Sequence, residues 1–440
     1  MIFLTYNILL TFLLILVSPY FLFRSLFQER FRKVWSQRLG FFQIPSFKRS
    51  IWVHAASVGE VFCSLPLLKK IKKEFPDSKI VLTTITSTGN ETAKARAPEA
   101  DRILFFPVDH PLVLRRFIGR IQPGLLLIAE TELWPNLLRT CGKKRIPIVL
   151  FNGRISPRSF RRYFRFKFFF KKCLKNISLF LMQTEEDRKR IVDIGGELQN
   201  TRTTGNLKFD QTFPPLSREA RAEIAKALGL RGAEMILIAG STHSGEEEIL
   251  VRLYKELKRT IPQLVLILAP RHLERLEEVE EVLRKEFIPW SRKTALSLGT
   301  DSPSDQNTPG VILLDTMGEL MGIYSLGTLV FVGGSLVPVG GHNPLEPLFF
   351  EKCVLFGPQM FNFLEISKRL VEAGGAIQVS GKEDFFSQLK RLLVDEVARE
   401  AVGEKGHQFL QRHQGATERM FEEVRPFLHK MGSADCGIRN

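Results

Sequence analysis

The residues best suited to chemistry in this chain gather in short polar clusters, most of them following an apolar run. The last of them, Val332–Pro347 (VGGSLVPVGGHNPLEP), sets two glycine pairs ahead of Asn343, Pro344 and Glu346. Asn is a good N-cap, Pro fits the first helical position and Glu falls three residues after the cap, so the spacing predicts a helix beginning at Asn343. Glycines at a strand end clear side chains away, leaving outward backbone N–H groups and a helix dipole to favour an anion. The competing reading is structural: Glu346 closes a capping box and the glycines turn the chain.

The other clusters are read in the same way. In His54–Glu60 (HAASVGE), a carboxylate in the first turn of a helix is placed to accept a proton, unless it only complements the dipole. In Ala129–Asn136 (AETELWPN), Glu130 and Glu132 flank Thr131; one acid is expected in solvent and the other on a site. Gly205–Asp210 (GNLKFD) offers Lys208, able to reach a charged group in a cleft or simply exposed. Gly240–Gly245 (GSTHSG) is a hydroxyl-rich turn suited to phosphate, without the ending of a nucleoside-triphosphate loop. Arg271, in Pro270–His272, carries paired N–H donors for a phosphate or carboxylate. Gly318, in Asp315–Leu320 (DTMGEL), would let a flat base approach the backbone.

The elements that must position these clusters alternate. Ile51–His54, Lys79–Thr84, Gly124–Ala129 and Pro147–Phe151 read as strands, with helices at Val58–Phe75, around Thr88–Ala97 and from Leu133. Gln211–Ser217 (QTFPPLS) reads as a linker, since adjacent prolines suit neither a helix interior nor a central strand. Beyond it come strands at Met235–Ala239, Leu264–Ala269, Val311–Leu314 and Thr328–Val332, and helices at Glu246–Arg259, Leu273–Lys285 and from Asn343. Ser302–Thr308 reads as an exposed loop. The fold class is α/β, with two doubly wound domains and ligands expected at the carboxyl ends of strands, in a cleft between the domains.

At 440 residues the chain is long enough for two domains, and its net charge of +16 calls for an anionic partner. Its five cysteines (Cys63, Cys141, Cys173, Cys353, Cys436) are scattered, which suggests reduced thiols and no zinc site. Met1–Phe23 carries no charged side chain, and Arg24, Arg30, Arg32, Lys33 and Arg38 follow it. That pattern predicts a membrane anchor with the rest of the chain on the cytoplasmic side. A bilayer span is favoured over an interfacial helix broken near its end by Pro19. Arg154–Lys175 (RISPRSFRRYFRFKFFFKKCLK) alternates cations with aromatics and contains no acid. It suits an anionic lipid surface, with a plain solvated helix as the alternative; a single-stranded nucleic-acid platform would leave the glycine turns and strand-end acids without a purpose.

Taken together and in order, WVHAASVGE (Trp52–Glu60), ETELWPN (Glu130–Asn136), GNLKFD (Gly205–Asp210), PRH (Pro270–His272), DTMGEL (Asp315–Leu320) and GGSLVPVGGHNPLEP (Gly333–Pro347) resemble the 3-deoxy-D-manno-octulosonic acid (Kdo) transferases of lipopolysaccharide assembly. The likeness runs from the anchor to about residue 425. It implies a GT-B glycosyltransferase: two Rossmann-like domains facing across a cleft, preceded by an inner-membrane anchor. The implied activity moves Kdo from CMP-Kdo to the lipid A precursor (lipid IVA) with inversion and release of CMP, using no metal and no cofactor. Glu60 would be the proton acceptor, and Glu130 and Lys208 would support the transition state. Pro270, Arg271, Met317, Gly318, Glu319, Asn343, Pro344, Leu345 and Glu346 would bind CMP. The implied segments are an anchor at 1–23, a basic collar at 24–48, an acceptor domain at 49–212, a donor domain at 213–428 and a disordered tail at 429–440. The alternative is another GT-B enzyme acting on a lipid with a UDP-sugar donor.

Overall fold

Unbroken apolar runs such as Leu125–Ala129 and Leu264–Ala269 must be covered on both faces, and parallel sheets flanked by helices provide that cover. The computed structural model describes residues 2–43, 47–210, 216–298 and 310–433. The chain divides into two compact units: Met1–Gln211 with His413–Asn440, and Thr212–Arg412.

In the first unit the strands are β1 (Ser50–His54), β2 (Ile80–Thr84), β3 (Arg102–Phe105), β4 (Pro123–Ala129), β5 (Ile148–Gly153), β6 (Leu179–Met182) and β7 (Thr201–Thr203). They form one parallel sheet in the order β3-β2-β1-β4-β5-β6-β7. Strand order reverses between β1 and β4, which opens a crevice at their carboxyl ends. The helices are α1 (Ile2–Phe27), α2 (Glu29–Arg38), α3 (Val58–Glu74), α4 (Ser87–Arg96), α5 (Pro111–Ile121), α6 (Pro135–Lys143), α7 (Pro157–Arg165) and α8 (Lys167–Leu174), with one more at Glu185–Asp193. α1 is long and apolar enough to cross a membrane, and Pro19 lies inside it without breaking it.

The C-terminal boundary differs from the expectation. Residues 413–428 belong with the first unit, not the second, because the helix Ala416–Ser433 buries Ala416, Met420, Phe421, Val424 and Leu428 in the same core as α3, β1 and β4. The apolar face of that final helix needs a partner, and the first sheet supplies it. Residues 429–433 are therefore helical, while the remainder of the expected tail lies outside the described residues. Most of the Gln211–Ser217 linker and the Ser302–Thr308 loop also lie outside them.

The second unit repeats the plan. Its strands are β8 (Met235–Thr242), β9 (Leu264–Pro270), β10 (Trp290–Arg292), β11 (Val311–Leu313), β12 (Leu329–Val332), β13 (Cys353–Phe356) and β14 (Ile377–Gln378). They are parallel in the order β10-β11-β9-β8-β12-β13-β14, reversing between β8 and β12.

Candidate active site

In the first unit the site is built where the strand order reverses. β1 ends at His54, and Ser57 caps α3, its hydroxyl accepting the Glu60 N–H. Glu60 answers with both oxygens: one accepts the Ala56 N–H at 2.8 Å and the other the Ser57 hydroxyl at 2.9 Å. The capping arrangement is therefore real, and it holds the carboxylate still. Glu60 is only 8% exposed. Burial, reinforced by the charge of Glu130, pushes its carboxyl up to about 7. A carboxyl that titrates near neutrality is matched to taking a proton at physiological pH.

Glu130 follows β4 with a φ of +54°, a left-handed conformation that residues bearing a side chain rarely adopt. Its N–H donates to Phe151 O at 3.0 Å. Glu132 is partly buried, accepts the Trp134 indole N–H at 2.9 Å, and burial raises its carboxyl. Lys208 sits on the 3-10 turn Leu207–Asp210. That turn is pinned by Asn152 Oδ1, which accepts Leu207 N–H at 3.0 Å, and by Asp210, which accepts the N–H groups of Gly415 and Thr417. All three expected residues lie around the buried Cys63 thiol. Burial pushes it up to about 12, and Lys208, Glu130 and Glu60 all lie close enough to act on it.

A polar chain beneath Lys208 escaped the sequence reading. Gln183 donates to Asn152 O at 2.9 Å, and Asn206 donates to Gln183 Oε1 at 2.9 Å. Asn152, at φ +52°, lies at the end of β5, where an FNG run was the available signal.

In the second unit the order β11-β9-β8-β12 sets four strand ends side by side. They carry Asp315–Glu319, Pro270–Arg271, Gly240–His243 and Gly333–His342. Arg271 and Glu346 are neighbours. Burial pushes the Glu346 carboxyl up to about 7, while the Asn343 amide and the Arg271 charge pull it down. Asn343 donates to Glu346 Oε1 at 3.2 Å and accepts the Leu345 N–H at 3.2 Å, with Pro344 and Leu345 buried beside it. Met317 is exposed, Gly318 has φ +88°, and Glu319 bonds Lys293 at 2.9 Å.

Two expectations about the glycine loop fail. No α-helix starts at Asn343; the segment makes only a 3-10 turn, Pro347–Phe350. A helix capped by Asn343 would close its first bond with the N–H of residue 347, and proline has none. Nor are the N–H groups at the first glycine pair open to an anion. Glu246, fully buried, accepts those of Gly334 at 2.6 Å, Ser335 at 2.9 Å, Leu336 at 2.9 Å and His243 at 3.0 Å. The protein's own carboxylate occupies these four N–H groups.

The side chains beside the loop include three histidines that the sequence reading left out of its site. His243 Nε2 and His342 Nε2 are 2.8 Å apart, with the rings parallel and their centroids 5.1 Å apart. A contact that short needs one ring to donate and the other to accept, so the two rings are not both protonated. His272 meets His243 edge-on at 5.6 Å. Burial, with Arg271 next, pushes His342 down to about 4. The signal was present in THS and GGHNP, since a histidine after a strand-end glycine sits where ligands bind.

The family model described as 3-deoxy-D-manno-octulosonic-acid transferase (kdotransferase) matches residues 33–211. The chain is 37% identical over 410 residues to the 3-deoxy-D-manno-octulosonic acid transferase of Haemophilus influenzae, covering 92% of this chain and 94% of that protein. The enzyme of the same name from Rickettsia felis is 31% identical, with 87% and 80% covered. Among solved structures, UDP-GlcNAc 2-epimerase from Neisseria meningitidis bound to UDP-GlcNAc shares the fold, with a TM-score of 0.55 at 14% identity over 87% of this chain and 100% of that one. With a relative at 37% identity matched along nearly its whole length, the chain belongs to the 3-deoxy-D-manno-octulosonic acid transferase family, the glycosyltransferases that add Kdo in lipopolysaccharide biosynthesis.

Proposed function

We propose that the protein transfers Kdo from CMP-Kdo to a hydroxyl of the lipid A precursor lipid IVA, with inversion at the anomeric carbon and release of CMP. The observation that carries this reading is Glu60, a buried carboxyl raised to about 7 beside Glu130 at the strand-order reversal of the first unit. In this reaction Glu60 takes the proton of the acceptor hydroxyl as that oxygen bonds to the anomeric carbon. The carbon–oxygen bond to the phosphate breaks on the opposite face, and the electron pair leaves with CMP. Lys208 offsets negative charge on the Kdo carboxylate or the departing phosphate, and Glu130 orients the acceptor or stabilises cationic character at the anomeric carbon. Arg271 serves the phosphate, Glu346 with Asn343 the ribose, and Met317–Glu319 the base, with Pro270, Pro344 and Leu345 shaping the pocket. Lysine and arginine supply the cationic charge, so the reaction needs no metal and no cofactor; full activity in EDTA is the expected result. The protein works at the inner membrane from the cytoplasmic side.

The test is a transfer assay in detergent with lipid IVA, Kdo and a CMP-Kdo-generating system, products being read by mass. A gain of one or more Kdo units supports the reading; no gain and no CMP binding would sink it. Arg271→Ala is expected to weaken CMP binding by roughly tenfold to a hundredfold, since a charge-assisted hydrogen bond contributes about 1.5–3 kcal/mol. Calorimetric titration with CMP checks this, and unchanged affinity would move the phosphate elsewhere. Stabilisation by UDP and not CMP would favour a UDP-sugar donor.

Gly59 adds a steric prediction. A Cβ built there meets nothing within 4 Å, so Gly59→Ala leaves the fold intact. If the space beside Glu60 admits the acceptor, the methyl group raises the KM for lipid IVA without changing the melting temperature. Wild-type kinetics would place the acceptor on another side of Glu60.

A further inference from the structure

α1 does not leave the first unit, as a membrane-crossing helix would; it lies along it. Residues 3, 6, 7, 10, 11, 14, 17, 18, 21 and 25 are half-buried, a stripe of helical period that runs the length of the element. Three polar side chains on that stripe, Tyr6, Asn7 and Thr11, meet the domain. Tyr6 donates to Asp109 Oδ2 at 3.1 Å, Asn136 donates to Asn7 Oδ1 at 2.7 Å, and Thr11 Oγ1 lies 3.4 Å from His110 Nε2. The amino-terminal end packs Phe3 on Phe169 of α8 at 5.7 Å and beneath the Arg139 guanidinium of α6. The carboxyl-terminal end packs Phe21 on Trp35 of α2 at 4.0 Å. A helix of 26 residues is about 39 Å long, so its two ends would lie in opposite leaflets if it crossed a bilayer. One folded domain grips both ends.

The opposite face is apolar and open. Leu4, Ile8, Leu9, Phe12, Leu13, Ile15, Leu16, Tyr20 and Phe23 are each 53–67% exposed. Phe169, which touches both Phe3 and Tyr6 on the docked stripe, sets the cationic segment α7–α8 beside the amino-terminal end of α1. There Arg158, Arg161, Arg162, Arg165, Lys167, Lys171 and Lys172 are all exposed, with Phe164, Phe166 and Phe168 exposed among them. An apolar stripe flanked by cations and aromatics complements the headgroup boundary of an anionic bilayer. We propose that α1 is an interfacial helix: it lies in one leaflet, docked lengthwise on its own domain through Tyr6, Asn7 and Thr11, with α7–α8 extending the same lipid-facing surface. The N-terminus then stays on the same side of the membrane as the folded domains. Asn7 and Thr11, polar residues that a spanning helix would merely tolerate, meet the domain instead. None of this depends on the reaction catalysed.

The test uses the full chain with an epitope tag ahead of Met1, in sealed inside-out membrane vesicles. The tag is expected to be cut by added protease without detergent. A tag protected until detergent is added would overturn the proposal in favour of a span. For the lipid contact, the fourfold variant Arg158→Gln, Arg161→Gln, Arg162→Gln, Arg165→Gln is expected to bind vesicles of phosphatidylethanolamine and phosphatidylglycerol roughly a hundredfold more weakly, with little change on phosphatidylcholine. Equal binding to both lipids by wild type and variant would remove the anionic-surface role. Sedimentation without detergent covers the other occupant: a stable dimer that ignores vesicles would make the apolar face a contact between copies.

Discussion

Glu60→Gln is expected to abolish transfer while making the protein more stable above pH 7. The carboxyl is held up at about 7, against an ordinary 4.5, by burial first and by Glu130 next. Between those two values the native state binds more protons than the unfolded chain, so this group's contribution to stability falls as pH rises through the window. Above pH 7 the fold carries a buried charge near a second carboxylate, at a cost of about 1–3 kcal/mol. Glutamine removes the charge, keeps an oxygen for the Ala56 N–H and can accept nothing from a substrate proton. Loss of a positioned base lowers rate by about 10²–10⁴-fold. Melting curves of both proteins from pH 4 to 9 should converge below the ordinary carboxyl range and separate above neutrality. A glutamine variant that still transfers Kdo would reassign the proton acceptor. One less stable than wild type at pH 8 would show that the carboxylate's bonds to Ala56 and Ser57 outweigh its desolvation.

Glu246→Ala should be the most damaging single change in the second unit. The side chain is the acceptor for four backbone N–H groups, those of His243, Gly334, Ser335 and Leu336. A buried donor left without an acceptor costs about 1–3 kcal/mol, so the variant should lose roughly 3–6 kcal/mol after relaxation and water entry. The loops that carry His243 and His342 lose their common anchor, and CMP binding should fall below detection. Glu246→Gln tests the cause. Its oxygen can still serve Ser335 and Leu336, whereas its amide would face the donors of Gly334 and His243, so it should fall between wild type and alanine in both melting temperature and CMP affinity. Normal CMP binding by the alanine variant would separate this loop from the donor site.

Much of this molecule is legible in local pattern. Unbroken apolar runs followed by polar turns mark β1, β4, β8, β9 and β12, because a strand covered on both faces tolerates no polar residue until it ends. The same rule singles out Glu60, Glu130 and Arg271, each soon after an apolar strand, and in doubly wound sheets that is where ligands meet protein. The cap formed by Ser57 and Glu60 is equally local, since the interaction spans three residues. The false helix at Asn343 was also a local matter: Pro347 lay in view as the residue whose missing N–H forbids the first helical bond.

Tertiary structure decided what depends on residues far apart in the chain. Glu246 reads as an ordinary acid in a helix's first turn, and only the pairing of β8 with β12 brings it under the N–H groups of Gly334–Leu336. The meeting of His243 with His342, and of Asp210 with the start of the final helix, has the same origin. The final helix joins the first unit because its apolar face matches the core around α3, and nothing in its own sequence states which sheet it will cover. In α1, composition determined that the helix is apolar. That Tyr6, Asn7 and Thr11 face Asp109, His110 and Asn136 was decided by the fold, since a periodicity names a face and only a partner gives that face a direction.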